Sequence, residues 1–239
     1  MTSRLCLAGG SSQSTFASPD EAGQALVSAV QQHADQSVMR ILRGGAELIS
    51  ADNRTEGRLE RERFVQKYQE LHRWVRESDG TRVLYIGAEN WSFPIPLVSR
   101  NGLWQFDSKG GSDEILYRRI GENEVTAISM CDMLATAEAR PGTDTEADRL
   151  VETLFPGLRD AGKAIRFHGY YFSILAHSGG EFAAIAYPAR YRSSGVKTFI
   201  VTRDGAISEK DLGPDTSKIA VEMTTSGIDS TWTPTDVMP

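Results

Sequence analysis

Phe167-His168-Gly169-Tyr170-Tyr171-Phe172-Ser173-Ile174-Leu175, Glu181-Phe182-Ala183-Ala184-Ile185-Ala186-Tyr187-Pro188 and Gly195-Val196-Lys197-Thr198-Phe199-Ile200-Val201-Thr202-Arg203-Asp204-Gly205 are three runs rich in aromatic and aliphatic residues. Gly, Ser and Pro separate them. Short apolar runs bounded by turn residues mark antiparallel strands. The last third of the chain therefore predicts a meander, with Arg203-Asp204-Gly205 as a tight turn. Just upstream, Ser112 to Ala139 has helical spacing, with Gly121 as a candidate break. Ile120, Glu124, Ala127, Ile128, Cys131 and Leu134 form its stripe for burial. A helix laid on a meander is an α+β arrangement.

The N-terminal half reads as helices followed by strands. Ser18-Pro19-Asp20-Glu21 is a helix start: Ser18 caps, Pro19 needs no donor, and Glu21 completes a capping box. Ala22, Leu26, Ala29, Val30 and His33 then share a face, and a shorter helix covers Asp35 to Leu42, ended by Gly44-Gly45. Arg58 to Glu77 reads as a long amphipathic helix with Phe64, Tyr68, Leu71, His72 and Val75 on one side. Strands are expected at 82–87, 93–99 and 103–107. Asn101-Gly102 is a hairpin turn, and Pro94 and Pro96 make the second strand an edge or irregular. Pro141 to Thr145 is a loop, Asp148 to Leu154 a short helix and Pro214 to Thr225 a final helix. The expected division is a flexible arm at 1–15, an α+β domain at 16–111 and a second α+β domain at 112–239, joined at Lys109-Gly110-Gly111-Ser112.

Composition narrows the function classes. A chain of 239 residues that is 40% hydrophobic buries a sufficient core without staples. A net charge of −6 argues against non-specific nucleic-acid binding, which needs clustered cations. No apolar run approaches the ~20 residues that span a bilayer. Cys6 lies in a Gly/Ser-rich arm and Cys131 in a helical pattern, a poor setting for a disulfide between them. Leu7 to Ser14 resembles the arm that follows a lipoprotein cysteine, yet Ser3-Arg4-Leu5 does not match a lipobox.

No motif spells out a reaction. His33, His72, His168 and His177 lack metal-ligand spacing, so no metal or cofactor is expected. There is no Gly-x-Ser-x-Gly, no Gly-x-Gly-x-x-Gly and no phosphate-binding loop, and Cys131 among apolar neighbours reads as core. No catalytic residue is assigned. Asp204, Glu209, Asp211 and Asp215 do not match a calcium loop and read as turn and cap residues.

The chain resembles the bacterial family termed "domain of unknown function 2950". The resemblance runs from Thr15 to about Thr231. It rests on Thr15-Phe16-Ala17-Ser18-Pro19, Trp91-Ser92-Phe93-Pro94-Ile95-Pro96-Leu97-Val98 and Glu114 to Glu124. It rests also on His168-Gly169-Tyr170-Tyr171-Phe172 and on Glu209 to Thr216. It implies an exported, periplasmic or envelope-associated protein with no assigned activity. The segment Pro141–Arg166 is shorter here than the resemblance implies, and no ligand or metal role is carried onto it. Residues 16–107 also look like the cone-shaped helix-plus-curved-sheet fold of the nuclear-transport-factor and ketosteroid-isomerase superfamily. The remainder looks like a type IV pilin head without its polymerising helix.

Three readings stay open. The leading one is a non-enzymatic envelope binding or interaction protein. The second is a binding protein or enzyme for a small apolar molecule, held in a cone pocket flanked by Tyr68, Trp91 and Trp104; the plainer reading of those aromatics is core packing. The third is an accessory partner of a pilus-like assembly.

Overall fold

The computed structural model describes residues 13–43, 54–139, 145–160, 162–175 and 182–235. Residues 1–12, 141–144 and His177 lie outside that range, and with them Cys6 and Gly44-Gly45. The chain is α+β, with two separate antiparallel sheets. It divides into two compact units, Met1–Ile115 and Leu116–Pro239.

The first unit opens with α1 (Pro19–Gln31), α2 (Asp35–Leu42) and α3 (Arg54–Glu70). Ser18 Oγ accepts the Glu21 N–H at 3.1 Å, while the Glu21 carboxylate turns back to the N–H of Ala17 at 2.8 Å. The first turn is thus tied at both ends. Ala22, Leu26, Val27 and Val30 of α1 meet Val38, Ile41 and Leu42 of α2 in one core. Gln13 and Ser14, expected in a flexible arm, are anchored. Gln13 Nε2 donates to the carbonyls of Ile41 and Phe106 at 3.2 and 2.6 Å, and the Ser14 N–H donates to Arg40 O at 3.2 Å.

The helix expected over Arg58 to Glu77 stops at Glu70, and His72–Arg76 is strand β1. It forms a hairpin with β2 (Arg82–Ile86), placing Trp74 opposite Leu84. His72-Arg73-Trp74-Val75-Arg76 satisfies both a helical and a strand period, so the turn that follows decides. Gly80 takes φ +88°, and Asp79 Oδ1 accepts the Thr81 N–H at 2.9 Å, closing a tight reversal that a helix cannot make. Strands β3 (Trp91–Ser92), β4 (Leu97–Arg100) and β5 (Leu103–Phe106) complete the sheet, in the order β1-β2-β4-β5 with β3 also on β2. The strand expected at 93–99 is interrupted where Pro94 and Pro96 supply no donors. Asn101 and Gly102, at φ +52° and +79°, make the two-residue turn. Phe16 extends the sheet, exchanging both backbone bonds with Trp104 at 2.8 Å.

Helix α4 (Ser108–Ala139) begins in the first unit and ends in the second. The expected linker Lys109-Gly110-Gly111-Ser112 is its first turn, and the helix runs through Gly121. The glycine at 111 serves close approach: a Cβ there would lie 2.6 Å from Cγ1 of Ile95. In the second unit follow α5 (Glu146–Leu154), β6 (Ala164–Phe167), β7 (Tyr170–Ile174), β8 (Ala183–Pro188), β9 (Thr198–Thr202) and β10 (Ile207–Lys210). Then come α6 (Thr216–Glu222), a 3-10 turn at Thr225–Gly227 and β11 (Thr233–Pro234). The strands pair strictly in sequence, β11-β10-β9-β8-β7-β6. The expected meander is thus present, with β6, β10 and β11 in addition.

Both faces of this sheet are covered. Tyr170, Phe172, Ala184, Ala186, Phe199 and Val201 face a core shared with Ala127, Cys131 and Leu134 of α4 and Val151 of α5. Ile185, Tyr187 and Ile200 face Ala220 of α6 and Trp232. Every residue of β8 is buried. The alternation is the period of two of a pleated strand. Among the described residues no helix is long and apolar enough to cross a membrane.

Candidate interaction site

The three sequence-nominated ligand residues are dispersed through the first unit. Tyr68, on α3, is 5% exposed, and its ring stacks on His72 with centroids 4.0 Å apart. Burial and the charge of Asp20 raise its pKa. Trp91, on β3, is 41% exposed and meets Phe93 edge-on at 6.2 Å. Trp104, on β5, is half-buried beneath the Arg82 guanidinium, 5.9 Å from its ring centroid. Tyr68, Phe64, Phe93, Phe106 and Trp74 make a continuous chain of aromatic contacts at 6.4, 5.7, 6.1 and 6.5 Å.

Two open grooves lie elsewhere in this unit. One, about 220 Å³, sits between the end of α1 and α3, with His33, Arg61 and Gln69 on its walls. The other, about 330 Å³, runs along α1 and α2. It has an alanine floor at Ala25 and Ala29 and a polar rim of Ser14, Ser28, Gln32, Ser37 and Arg40.

The most constrained polar arrangement is in the second unit. Glu124 on α4 points at the chain that leads into β9. Its Oε1 accepts the N–H groups of Val196 and Lys197 at 2.8 and 3.0 Å, and lies 3.5 Å from the Tyr170 hydroxyl. That hydroxyl donates to the Lys197 carbonyl at 2.8 Å. One residue earlier, Asn123 Nδ2 donates to Ser194 O at 2.8 Å. Two side chains of one helix therefore hold three backbone groups of the loop between β8 and β9, and Tyr170 closes the network by holding a fourth.

The loop is also tied internally. The Arg190 N–H donates to Ser194 Oγ at 2.9 Å, the Arg192 N–H to Gly195 O at 2.8 Å, and the Ser194 N–H to Arg190 O at 2.9 Å. Arg192 is held in the left-handed region at φ +56°. Glycine is required at the two points of closest approach. A Cβ at Gly195 would lie 2.1 Å from the Tyr170 hydroxyl, and one at Gly169 would lie 2.6 Å from Asn123 Nδ2. Gly169 belongs to the His168-Gly169 turn between β6 and β7, both residues at positive φ, and its carbonyl accepts the Ala189 N–H at 2.9 Å. His168 is thus an exposed turn residue.

The perturbed groups are shifted away from reactivity. Complete burial pushes the Cys131 thiol up to about 12, leaving it protonated at neutral pH. Burial, then the neighbouring Glu124, raises the Tyr170 phenol far above its ordinary range. Asp79, Asp204 and Asp229 are held below the usual carboxylate range by hydrogen bonds within their own turns. Asp211 is likewise a turn residue, accepting from the Gly213 N–H at 2.8 Å. Among the described residues no group of His, Cys, Asp and Glu is arranged to hold a metal ion. Sequence reasoning placed Glu124 on the buried stripe of its helix without drawing the consequence: a carboxylate there needs donors, and the loop N–H groups supply them.

The family described as "Protein of unknown function (DUF2950)" matches the chain over residues 13–153 and 147–235. No curated protein and no solved structure matches it. The two matched stretches take in both compact units, including Asn123, Glu124 and the loop they hold, and the chain belongs to the DUF2950 family.

Proposed function

We propose that the chain is a non-enzymatic binding or interaction protein of the cell envelope. The observation that carries the reading is the use made of Asn123, Glu124 and Tyr170. These polar side chains, set against the core of the second unit, are spent on the backbone of a surface loop, Arg190 to Lys197. A loop fixed before contact loses little entropy on binding, which favours recognition. The loop presents Arg190, Tyr191 and Arg192, residue types that dominate binding energy at protein interfaces. The envelope location rests on the family resemblance.

A second reading, small-molecule binding by the first unit, draws on the groove along α1 and α2. Its volume of about 330 Å³ is of ligand size, and its rim is polar.

The test replaces Tyr191 by photo-reactive benzoylphenylalanine in cells expressing the full open reading frame. A discrete cross-linked species in the envelope fraction supports the reading. Protein confined to the cytoplasm, or cross-links no different from those at an exposed control position such as Val221, removes it.

A further inference from the structure

We infer that the Arg190–Gly195 loop is a docking site for an acidic protein segment, gripped through Arg190 and Arg192 on either side of Tyr191. This rests on the interaction reading above and names the chemistry of its partner.

Among the described residues, the acids that contact Tyr191 and the end of the loop are already occupied. Asp211 accepts the Tyr191 hydroxyl through Oδ2 at 3.1 Å and the Gly213 N–H through Oδ1 at 2.8 Å. Glu209 Oε1 pairs with Lys197 Nζ at 3.1 Å, and its Oε2 lies 3.5 Å from Thr235 Oγ1. Glu124 Oε1 is committed to the loop backbone. Arg190 and Arg192 are exposed and make no ion pair among the described residues. Arg192 lies instead over the Tyr191 ring, 5.4 Å from its centroid. Arg119, one turn before Asn123 on α4, is another exposed cation without an ion pair among the described residues.

Lack of a carboxylate alone does not set these arginines apart, since Arg76, Arg100 and Arg203 are also exposed without an ion pair among the described residues; the fixed loop beneath Arg190 and Arg192 does. An ordinary exposed arginine is long and mobile and loses much rotamer freedom on pairing. Here the backbone beneath the two arginines is fixed, and the planar guanidinium matches a carboxylate through two parallel hydrogen bonds. Tyr191, between them in sequence and anchored by Asp211, adds an aromatic ring to the same fixed loop, with Arg192 over it. A short protein segment fits this combination better than an anionic membrane: the segment meets chiefly the arginines within a Debye length, whereas an extended anionic surface also meets the net negative charge of the molecule as a whole.

The experiment titrates the full chain with a fluorescein-labelled Asp/Gly peptide, alongside Lys/Gly and Ser/Gly peptides of equal length, inorganic phosphate, and phosphatidylglycerol vesicles. Binding of the acidic peptide alone is expected, weakening as salt rises. Arg190→Gln with Arg192→Gln should weaken it about tenfold, as two exposed charge pairs predict, with the melting temperature unchanged. Arg190→Lys with Arg192→Lys should fall between, since charge remains and the fork is lost. The inference is overturned if the acidic peptide binds no better than the serine peptide, or if the glutamine variant binds it undiminished. Vesicle binding lost in the glutamine variant without peptide binding would assign the loop to lipid and also overturn it. A cross-linked envelope partner at Tyr191 together with indifference to both arginine variants would leave the interaction reading standing and remove only the acidic chemistry.

Discussion

Gly195 lies so close beneath Tyr170 that a single added methyl would sit 2.1 Å from the hydroxyl and 2.5 Å from Cζ. Tyr170 is wholly buried and cannot give way without breaking its bond to Lys197 O. Gly195→Ala should therefore cost about 2–3 kcal/mol, the upper range for overpacking. Urea denaturation followed by circular dichroism measures it. Tyr170→Phe should not rescue the variant, because the ring carbon remains in the way. Rescue would show that the hydroxyl alone defines the contact.

Glu124 makes a second, chemically distinct prediction. Alanine there strands the N–H groups of Val196 and Lys197, for which Glu124 Oε1 is the acceptor among the described residues. The expected cost is about 2–3 kcal/mol, as for loss of hydrogen bonds to a charged group. Glutamine retains an oxygen at the same place and should cost about half as much. Hydrogen exchange at the two amides gives the direct readout: protection lost in Glu124→Ala and largely kept in Glu124→Gln. Equal exchange in both variants would contradict the role assigned to the carboxylate.

These elements differ in how legible they were. The meander was plain because strands β7, β8 and β9 are short apolar runs between turn residues. The two-residue turn Asn101-Gly102 was plain because its type demands such residues. Strand β1 was hidden because Leu71 and Val75 continue the helical spacing of Phe64 and Tyr68, and only the Asp79-Gly80 reversal breaks the tie. The cover on the second face of the meander was hidden because Ala220, Met223, Ile228 and Trp232 are scattered without a period. Lys109-Gly110-Gly111-Ser112 looked like a linker because glycine marks both flexibility and close packing, and here packing against Ile95 decides. The clamp was half visible. Glu124 fell on the stripe marked for burial, but nothing near it in sequence named a donor, because its partners lie 72 and 73 residues away, beyond any local pattern.

The ionisable groups set both limits of the pH–stability profile. The carboxyls of Asp79, Asp148, Asp204 and Asp229 lie below their ordinary value in the folded chain. Their contribution is present above the unfolded value of 3.8 and is lost as pH falls through the folded values. At the other end, Cys131 is raised from 9.0 to about 12. Its contribution is complete below pH 9 and is lost as pH rises toward 12, because the unfolded chain ionises first. Urea midpoints across pH should fall at both ends, and Cys131→Ala should make the alkaline limb shallower. An unchanged alkaline slope in that variant would place the titration on Tyr170 and Tyr187, whose pKa values burial also raises.

Trp91 and Trp104 separate a filled core from a ligand pocket in the first unit. Trp91 is 41% exposed and touches the core at the edge of Phe93, so Trp91→Ala leaves little cavity and should cost about 1 kcal/mol. Trp104 is half-buried, packs against the core and carries Arg82 on its face, so Trp104→Ala should cost about 2–3 kcal/mol. The backbone bonds between Trp104 and Phe16 survive either change, since they involve no side chain. Stability alone does not decide function, and the thermal-shift response does. If these tryptophans only pack, a compound that stabilises the protein through the groove along α1 and α2 will act equally on both variants, and Arg40→Ala, on that groove's rim, will abolish the shift. A stabilising compound whose effect disappears with Trp91→Ala or Trp104→Ala, and persists with Arg40→Ala, would return the ligand site to the aromatic side of the sheet.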